Sequence, residues 1–424
     1  MATRRVAVIG AGPVGLHAAL RLLEEEGTEV LLLERGAEVA ANVKEWGHVR
    51  LFSSWKYNCR ESVLTKLQSV GLVEQNPFDP EAFPTGGEYR EKYLTKIYQY
   101  LRESPRAQVI LGCNVESVTR DGFHKQDDLN GGARKSRPFH LLLSGDDHRE
   151  WFESADLVLD CSGTWGNNLY MGPGGAPAVG ERNQSKVTYK IPDLDDTERE
   201  EYAGRHTLVI GAGYSAITTL RGLINLKAAH PDTQITWLTR KGTAPFAVLD
   251  DDPLPERKKL ALIGNSIVAG GSLDAGVTHL SGYSIESVHE DGSTKKLFVQ
   301  LRPQGEELGE EALRLTVDRV VANVGWRPDA SLYSELHVHQ CWASDGPIKL
   351  ASSLIAASGK GGGDCLKQAV PGPELLLTPE PGFLLLGMKS YGRNSLFILK
   401  IGFEQIEQAV GLLFPSDPAA VVSS

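Results

Sequence analysis

Two glycine-rich segments of this chain have the residue types and the spacing that bind phosphate groups through the backbone. A phosphate must come close to backbone N–H groups, and a tight turn that opens a helix leaves several of these groups unpaired. Small residues are needed there because a side chain would block the approach. The sequence therefore predicts two dinucleotide-binding turns, the first formed by Gly10, Gly12 and Gly15 and the second by Gly211, Gly213, Ser215 and Ala216.

Each turn stands between an apolar run and a stretch with the pattern of a helix. Residues 6–9 precede the first turn and residues 16–23 follow it, whereas residues 207–210 and 217–226 flank the second. Strand, glycine turn and helix in this order open a Rossmann βαβ unit. Two such units predict an α/β protein with two Rossmann-like dinucleotide-binding domains.

Residues at the ends of the following strands distinguish the two turns. Glu34 ends the strand after the first turn, at the spacing where a carboxylate accepts hydrogen bonds from an adenosine ribose, and Arg35 follows it. Arg240 and Lys241 stand at the corresponding place in the second repeat, where cationic groups attract a 2′-phosphate. We therefore predict ribose binding at Glu34, and NADPH rather than NADH at the second turn. The alternatives are an exposed strand-end carboxylate and two solvated cations.

These turns, and the order of the segments around them, resemble the flavoproteins with two dinucleotide-binding domains, which include glutathione-reductase-like enzymes and flavin-containing monooxygenases. The resemblance covers nearly the whole chain and is nearest to flavin-containing monooxygenase-like, pyridine nucleotide-dependent oxidoreductases. It implies a glutathione-reductase-type fold in which the second domain is inserted in the first, with FAD at the first turn and NADPH at the second. The further FAD contacts that it implies are Val115 through its backbone, and Gly163 and Thr164. Other cofactor-binding candidates are Arg35 and, in a C-terminal return segment, Ser390, Arg393 and Asn394. In that segment Lys389 or Arg393 is expected to face either the FAD phosphates or an acidic substrate.

The order of the motifs sets the predicted domain boundaries. A discontinuous FAD-binding domain is expected to cover residues 1–165 and 330–424, and an NAD(P)H-binding domain residues 205–329. Residues 166–204 are rich in Gly and Pro at first and acidic later, which predicts a linker. In the return segment Gly387 is followed by Met388 and Lys389, where the family usually has Gly-Asp.

The cysteines bear on the reaction. Five are scattered along the chain, at positions 59, 113, 161, 341 and 365, and none forms a Cys-x-x-Cys pair. This spacing argues against a dithiol relay and so against disulfide reductase activity. The resemblance then implies a monooxygenase that transfers oxygen from a flavin C4a-hydroperoxide to N or S of a small molecule. The family's Phe-x-Gly-x-x-x-His-x-x-x-Tyr/Phe fingerprint is absent, which indicates a diverged group.

Two other functions stay open at this point. One is a flavoprotein reductase or oxidase that passes electrons to a quinone, a carrier protein or O2. The other, from a different class, is a non-catalytic protein that binds and senses flavin or nucleotide.

Residues 46–58 supply most candidates for the active site. They follow the first Rossmann unit, where the family lines the flavin ring, and they combine aromatic with polar side chains. The predicted catalytic residues are His48, Arg50, Trp55, Asn58 and, from the return segment, Lys389. The alternative is a buried loop whose aromatic residues fill the core.

Charge and hydropathy exclude several classes of function. The formal net charge of −10 argues against nucleic acid as a partner, and we predict a small-molecule substrate. The apolar runs are too short for a secretory segment or a membrane span, which predicts a cytoplasmic protein. His337, His339 and Cys341 alternate as ligands on one strand face would, but without a fourth ligand nearby they predict no metal site. The basic run from Arg134 to Arg137 is expected to be a solvated loop. The oligomeric state is left open.

Overall fold

The computed structural model describes residues 3–129, 132–243, 245–248, 252–271, 276–304, 312–358 and 372–415. The chain forms two compact units, one made of Met1–Asn167 with Arg327–Ser424 and the other of Asn168–Trp326. Within the described ranges, no helix is both long and apolar enough to span a membrane.

The assignment of FAD to the first unit and of NADPH to the second stays a prediction.

Short strands and helices alternate along both units. The strands are β1 (Arg4–Ile9), β2 (Thr28–Leu33), β3 (Ala107–Ile110), β4 (Cys113–Arg120), β5 (Phe139–Gly145), β6 (Glu150–Ala155), β7 (Leu157–Asp160), β8 (Val187–Thr188), β9 (His206–Ile210), β10 (Gln234–Thr239), β11 (Val277–Ser281), β12 (Tyr283–Glu290), β13 (Leu297–Pro303), β14 (Leu313–Val317), β15 (Arg319–Ala322) and β16 (Phe383–Leu385). The α-helices are α1 (Pro13–Leu22), α2 (Ala41–Glu45), α3 (Trp55–Asn58), α4 (Glu61–Ser69), α5 (Gly86–Tyr89), α6 (Thr95–Arg102), α7 (Arg199–Tyr202), α8 (Tyr214–Ala229), α9 (Pro255–Ser266), α10 (Ile348–Ser358) and α11 (Leu399–Leu413). A π-helical turn, Arg90–Leu94, joins α5 to α6.

The first unit has three layers. Its parallel sheet runs in the order β16-β7-β1-β2-β3. Alternate residues of β1 point to opposite faces, so that Val6 and Val8 pack with the helices α1, α6 and α11, whereas Ala7 and Ile9 pack against the antiparallel sheet β4-β5-β6. A parallel sheet covered on both faces needs apolar residues at every position, which is why β1 is apolar from Val6 to Ile9.

The second unit repeats this plan. Its parallel sheet has the order β11-β10-β9-β15-β8, with α8 and α9 on one face and the antiparallel sheet β12-β13-β14 on the other. Both antiparallel sheets carry a register shift at the same place in their first hairpin, between Val115 and Ser117 in one and between Ile285 and Ser287 in the other. The prediction of an α/β protein with two Rossmann-like units is confirmed.

The segment expected to be a linker contributes to the second unit. Val187–Thr188 forms β8, which pairs with β15 in parallel. Leu194 and Tyr202 are buried in the core beneath α8. Residues 168–204 are therefore part of this unit's packing, although few of them lie in regular elements.

The expectation of a solvated basic loop is wrong for its first residue. The side chain of Arg134 is 2% exposed, and its Nη2 lies 2.7 Å from Oε2 of Glu380, which also pairs with the buried Arg120. Hydrogen bonds from both guanidinium groups hold the pKa of Glu380 below its usual value, although burial acts to raise it. A buried cation needs such a partner. The expectation holds for Arg137, whose side chain is about half exposed.

Candidate functional site

The first glycine turn has one open position between two closed ones. Gly10 has φ +94°, and a Cβ there would lie 2.8 Å from the Cα of Ser162. A Cβ on Gly15 would lie 1.8 Å from the carbonyl oxygen of Gly10. At Gly12, which precedes α1, a Cβ would meet no described atom within 4 Å. The turn is therefore closed toward the protein at its outer glycines and open at its central one, as a backbone cradle for a phosphate requires.

The second turn has the same construction. Gly211 has φ +127°, and a Cβ there would lie 2.3 Å from the carbonyl oxygen of Asn323. At Gly213, immediately before α8, a Cβ would meet no atom of the described chain within 4 Å. Ala216 is fully buried at the third position, whereas Ser215 is exposed. Both turns thus fit the pyrophosphate of a dinucleotide.

Glu34 lies against the first turn. Its Oε2 accepts a hydrogen bond from the Ala11 amide at 2.7 Å, and its Oε1 accepts one from the Gly36 amide at 2.8 Å. The carboxylate is therefore fixed beside the turn while the residue stays partly exposed. Arg35, next in the chain, is exposed. This position suits the predicted ribose contact, which stays a prediction.

The end of β10 presents two exposed cations, Arg240 and Lys241. Thr239 donates from its hydroxyl to the Lys241 carbonyl at 2.7 Å, which fixes the backbone there. Among the residues that the structure describes, no carboxylate forms an ion pair with either cation. Two exposed cations at this position can attract an anionic group, although a 2′-phosphate contact stays a prediction.

The remaining predicted FAD contacts of the N-terminal half lie in the strand β4 and in the loop after β7. Val115 stands at the bulge of β4, where the regular pairing with β5 is interrupted. Gly163 has φ +70° and an open Cβ direction, and Thr164 beside it is buried. The loop before them is tied to β1, since the Cys161 amide donates to the Ile9 carbonyl at 2.9 Å.

The predicted residues of the return segment are engaged within the protein. Ser390 donates from its hydroxyl to the Gly387 carbonyl at 2.7 Å and accepts a hydrogen bond from Nε2 of Gln405 at 3.0 Å. Arg393 forms an ion pair with Asp345, and Asn394 accepts a hydrogen bond from the Leu396 amide at 2.9 Å. These contacts shape the segment, and binding of FAD by its side chains stays a prediction.

Lys389 contacts three side chains that its position in the sequence did not indicate. Its Nζ lies 2.6 Å from Oδ2 of Asp160 and donates to Oγ of Ser162 at 2.9 Å. The ring centroid of Tyr333 lies 5.1 Å from the same nitrogen. An acidic residue at the end of the buried strand β7 was the one sequence signal for this cluster.

The predicted catalytic segment divides into buried and exposed parts. Trp55 is buried and stacks on Phe78, with the ring centroids 3.9 Å apart. The amide of Asn58 donates to the Ser53 carbonyl and accepts from the Ser53 hydroxyl, both at 2.8 Å. These contacts are the ones that the core-filling alternative predicts. His48 and Arg50 are exposed, whereas Lys389 is buried.

A groove in the first unit nevertheless joins this segment to the start of α11. Its volume is about 470 Å³, and it is lined by Lys56, Tyr57, Cys59, Arg60, Lys400, Phe403 and Glu404. A second cleft of about 370 Å³ in the same unit includes Arg393 and Asp345. Catalytic roles for the predicted residues stay predictions.

The cysteines form no disulfide in the part of the chain that is described. Burial raises the pKa of Cys59 and of Cys161, and raises that of Cys113 to about 11. Hydrogen bonds from Ser344 and from the Ala343 backbone lower the pKa of Cys341. Cys365 lies outside the described residues.

None of the protein-family models matches the sequence, and no curated protein matches it. Several solved structures match over nearly the whole chain. Bacillithiol disulfide reductase from Bacillus cereus is 18% identical, with a TM-score of 0.64, over 96% of this chain and 97% of that one. Ornithine N-hydroxylase from Kutzneria sp. 744 is 16% identical, with a TM-score of 0.61, over 96% and 98% of the two chains.

A third similar structure is the FAD-bound cadaverine monooxygenase of Erwinia amylovora, 12% identical, with a TM-score of 0.61, over 97% of this chain and 95% of that one. At these identities the likeness concerns the fold. The chain has the fold of the two-domain flavin- and pyridine-nucleotide-dependent oxidoreductases.

Proposed function

We propose that the protein is an oxidoreductase that binds FAD at the first glycine turn and NADPH at the second. The observation that carries the proposal is the repeated turn with a closed first position and an open central glycine, at Gly12 and Gly213. Each opens a helix of ten or more residues, whose N-terminal amides and dipole favour a phosphate. Similar structures add support, because the Kutzneria enzyme was determined with reduced FAD, NADP+ and L-ornithine.

The choice between nucleotides rests on the charges at the two strand ends. Glu34 places a carboxylate beside the first turn, where it can accept hydrogen bonds from ribose hydroxyls and repels a 2′-phosphate. Arg240 and Lys241 place two exposed cations after β10. Opposite charges at equivalent positions support FAD at the first turn and NADPH at the second, and therefore electron flow from the second unit's nucleotide to the first's.

FAD, when bound, supplies the redox chemistry by accepting a hydride from NADPH. The chain's own residues bind, orient and shield the two nucleotides. At the return segment, Gln405 accepts a hydrogen bond from the Gly387 amide at 2.8 Å and holds Ser390, so this wall of the first unit is fixed before a cofactor arrives. Preformed walls of this kind reduce the entropy lost on binding.

We further propose that the reduced protein reacts with O2 and oxygenates a small molecule at N or S. A dithiol relay is disfavoured because burial holds Cys59, Cys113 and Cys161 in the thiol form, and the thiolate is the reactive species. Two of the similar structures are named as an N-hydroxylase and a monooxygenase of small amines, which supports the same branch.

Anaerobic reduction followed by oxygen tests both levels of the proposal. The purified protein is reconstituted with FAD, and the flavin absorbance is followed as NADPH is added without oxygen. Bleaching of this absorbance is expected, and its absence would refute the oxidoreductase. Oxygen is then admitted with candidate amines and sulfides. Oxygen uptake matched by oxygenated product is expected; stoichiometric H2O2 without product would refute the monooxygenase and leave the oxidase or reductase.

A further inference from the structure

A buried ion pair occupies the carboxyl end of the first parallel sheet, beside the first glycine turn. Asp160 ends β7 and pairs in register with Leu385 of β16, so that Lys389, four residues later, returns to the same edge. The side chains of Asp160 and Lys389 are 0% and 1% exposed, and their charged atoms lie 2.6 Å apart. Both charges have been removed from water.

Stability alone does not explain why an ion pair is buried at this position. Removing two charges from water offsets much of their mutual attraction, and apolar residues of similar volume often stabilise a fold at least as well. What a buried pair does provide is fixed geometry, because each charged group tolerates few arrangements of its hydrogen bonds.

The geometry fixed here is that of Ser162. Its hydroxyl donates to Oδ1 of Asp160 at 2.6 Å, and its amide donates to the same oxygen at 3.0 Å. The ammonium group of Lys389 donates to the hydroxyl oxygen at 2.9 Å. Backbone and side chain of Ser162 are therefore both tied to the ion pair.

Ser162 also packs against the first glycine turn. The Cα of Ser162 lies only 2.8 Å from the place that a Cβ on Gly10 would occupy. Gly163, immediately after it, has a left-handed backbone with φ +70° and faces open space. A shift of a few tenths of an ångström at Ser162 therefore changes the shape of the cradle at Gly10.

We propose that Asp160 and Lys389 are positioning residues that hold the Ser162–Gly163 turn against Gly10 and thereby set the affinity for FAD. The inference rests on the proposed function, since it takes FAD as the occupant of the first turn. Lys389 acts through Ser162 rather than by touching the cofactor, because its side chain is buried before any cofactor is bound.

Binding of FAD to the apoprotein, measured by quenching of flavin fluorescence, tests the proposal alongside the melting temperature of each apoprotein. Ser162→Ala removes the hydrogen bonds that join the Ser162 side chain to the ion pair but keeps the ion pair itself. The double variant Asp160→Asn/Lys389→Met removes both charges together. Each is expected to raise the Kd for FAD about tenfold, because a Ser162–Gly163 turn that is no longer held must be ordered again when the cofactor binds. The internal hydrogen bonds that are lost are expected to lower the melting temperature of the apoprotein by only a few degrees. The flavin absorbance of the bound state is expected to shift as well.

Two control variants isolate the effect. Ser162→Thr keeps the hydroxyl and is expected to retain most of the affinity. Arg5→Met removes a different ion pair, with Glu153 at 2.8 Å, from the opposite end of the same sheet, and is expected to leave the Kd unchanged. Should the double variant fail to fold, Ser162→Ala still decides the question.

The outcomes separate the inference from the proposed function. Wild-type apoprotein that does not bind FAD overturns both. Wild-type protein that binds FAD while Ser162→Ala and the double variant bind it equally well overturns the inference alone. A lowered melting temperature in both variants with an unchanged Kd also overturns it, since the pair would then serve the fold only.

Discussion

Replacing Gly213 by alanine is expected to separate nucleotide binding from folding. The backbone at Gly213 has φ −99° and ψ 173°, a conformation that alanine adopts without strain. The added Cβ meets no described atom within 4 Å, so the fold has nothing to resist it. Alanine also restricts the unfolded chain, which adds about 0.4–1 kcal/mol to the free energy of unfolding.

The affinity for the nucleotide is expected to fall, although the stability of the fold rises. With NADPH bound as proposed, the pyrophosphate would approach the backbone amides before α8 from the open side of Gly213, where the new Cβ lies. Losing one charge-assisted hydrogen bond costs about 1.5–3 kcal/mol. The Kd for NADP+ is therefore expected to rise about 10- to 150-fold. Calorimetric titration of the FAD-loaded variant measures the Kd, and a thermal melt measures the stability.

Gly411→Ala is the matched control. Gly411 is an exposed glycine of α11 whose Cβ position is also open among the described residues. It is expected to raise stability similarly and to leave NADP+ binding unchanged. Gly12→Ala is expected to do to FAD what Gly213→Ala does to NADP+. Equal affinities of Gly213→Ala and Gly411→Ala for NADP+ would refute the predicted approach of the pyrophosphate at Gly213.

Three further variants probe other features. Arg240→Ala is expected to weaken NADPH about tenfold or more while sparing NADH, and equal losses in parallel titrations would contradict the 2′-phosphate contact. Burial lowers the pKa of His17 to about 3 from 6.5, so the stability it contributes is complete above about pH 6.5 and is lost as the pH falls toward 3. Between these limits the wild type should lose about 1.4 kcal/mol per pH unit relative to His17→Gln in denaturant melts, and parallel pH profiles would contradict this. Glu380→Gln leaves Arg120 and Arg134 buried without a carboxylate and should lower the free energy of unfolding by about 3–5 kcal/mol; a loss under 1 kcal/mol would show that water reaches the site.

Local sequence was sufficient to predict the fold because each Rossmann βαβ unit is formed by contiguous residues. An apolar strand, a turn that needs glycine and an amphipathic helix each have a short period or a fixed spacing. Glu34 and Arg240 follow their turns within one βαβ unit, so their predicted roles needed only the spacing between turn and strand end.

The buried ion pairs could not be predicted from local sequence because their partners are distant along the chain. Arg134 looks like a solvated cation until Glu380, 246 positions away, is placed beside it. Lys389 meets Ser162 across 227 positions. The contribution of β8 was also hidden, since two residues of a strand carry no periodicity that could be recognised.

The two parallel sheets are related by a permutation of the chain. In the first unit the strand beside β7 is β16, supplied by the C-terminal return, whereas in the second the strand beside β15 is β8, supplied by the segment that enters the unit. During synthesis the second unit therefore has all five of its sheet strands as soon as β15 has left the ribosome. The first unit, although begun earlier, must wait with an open sheet edge at β7 and an uncovered α1 until β16 and α11 arrive. An exposed strand edge is a site for mispairing. The first unit is thus the one whose sheet edge stays open to mispairing for longer.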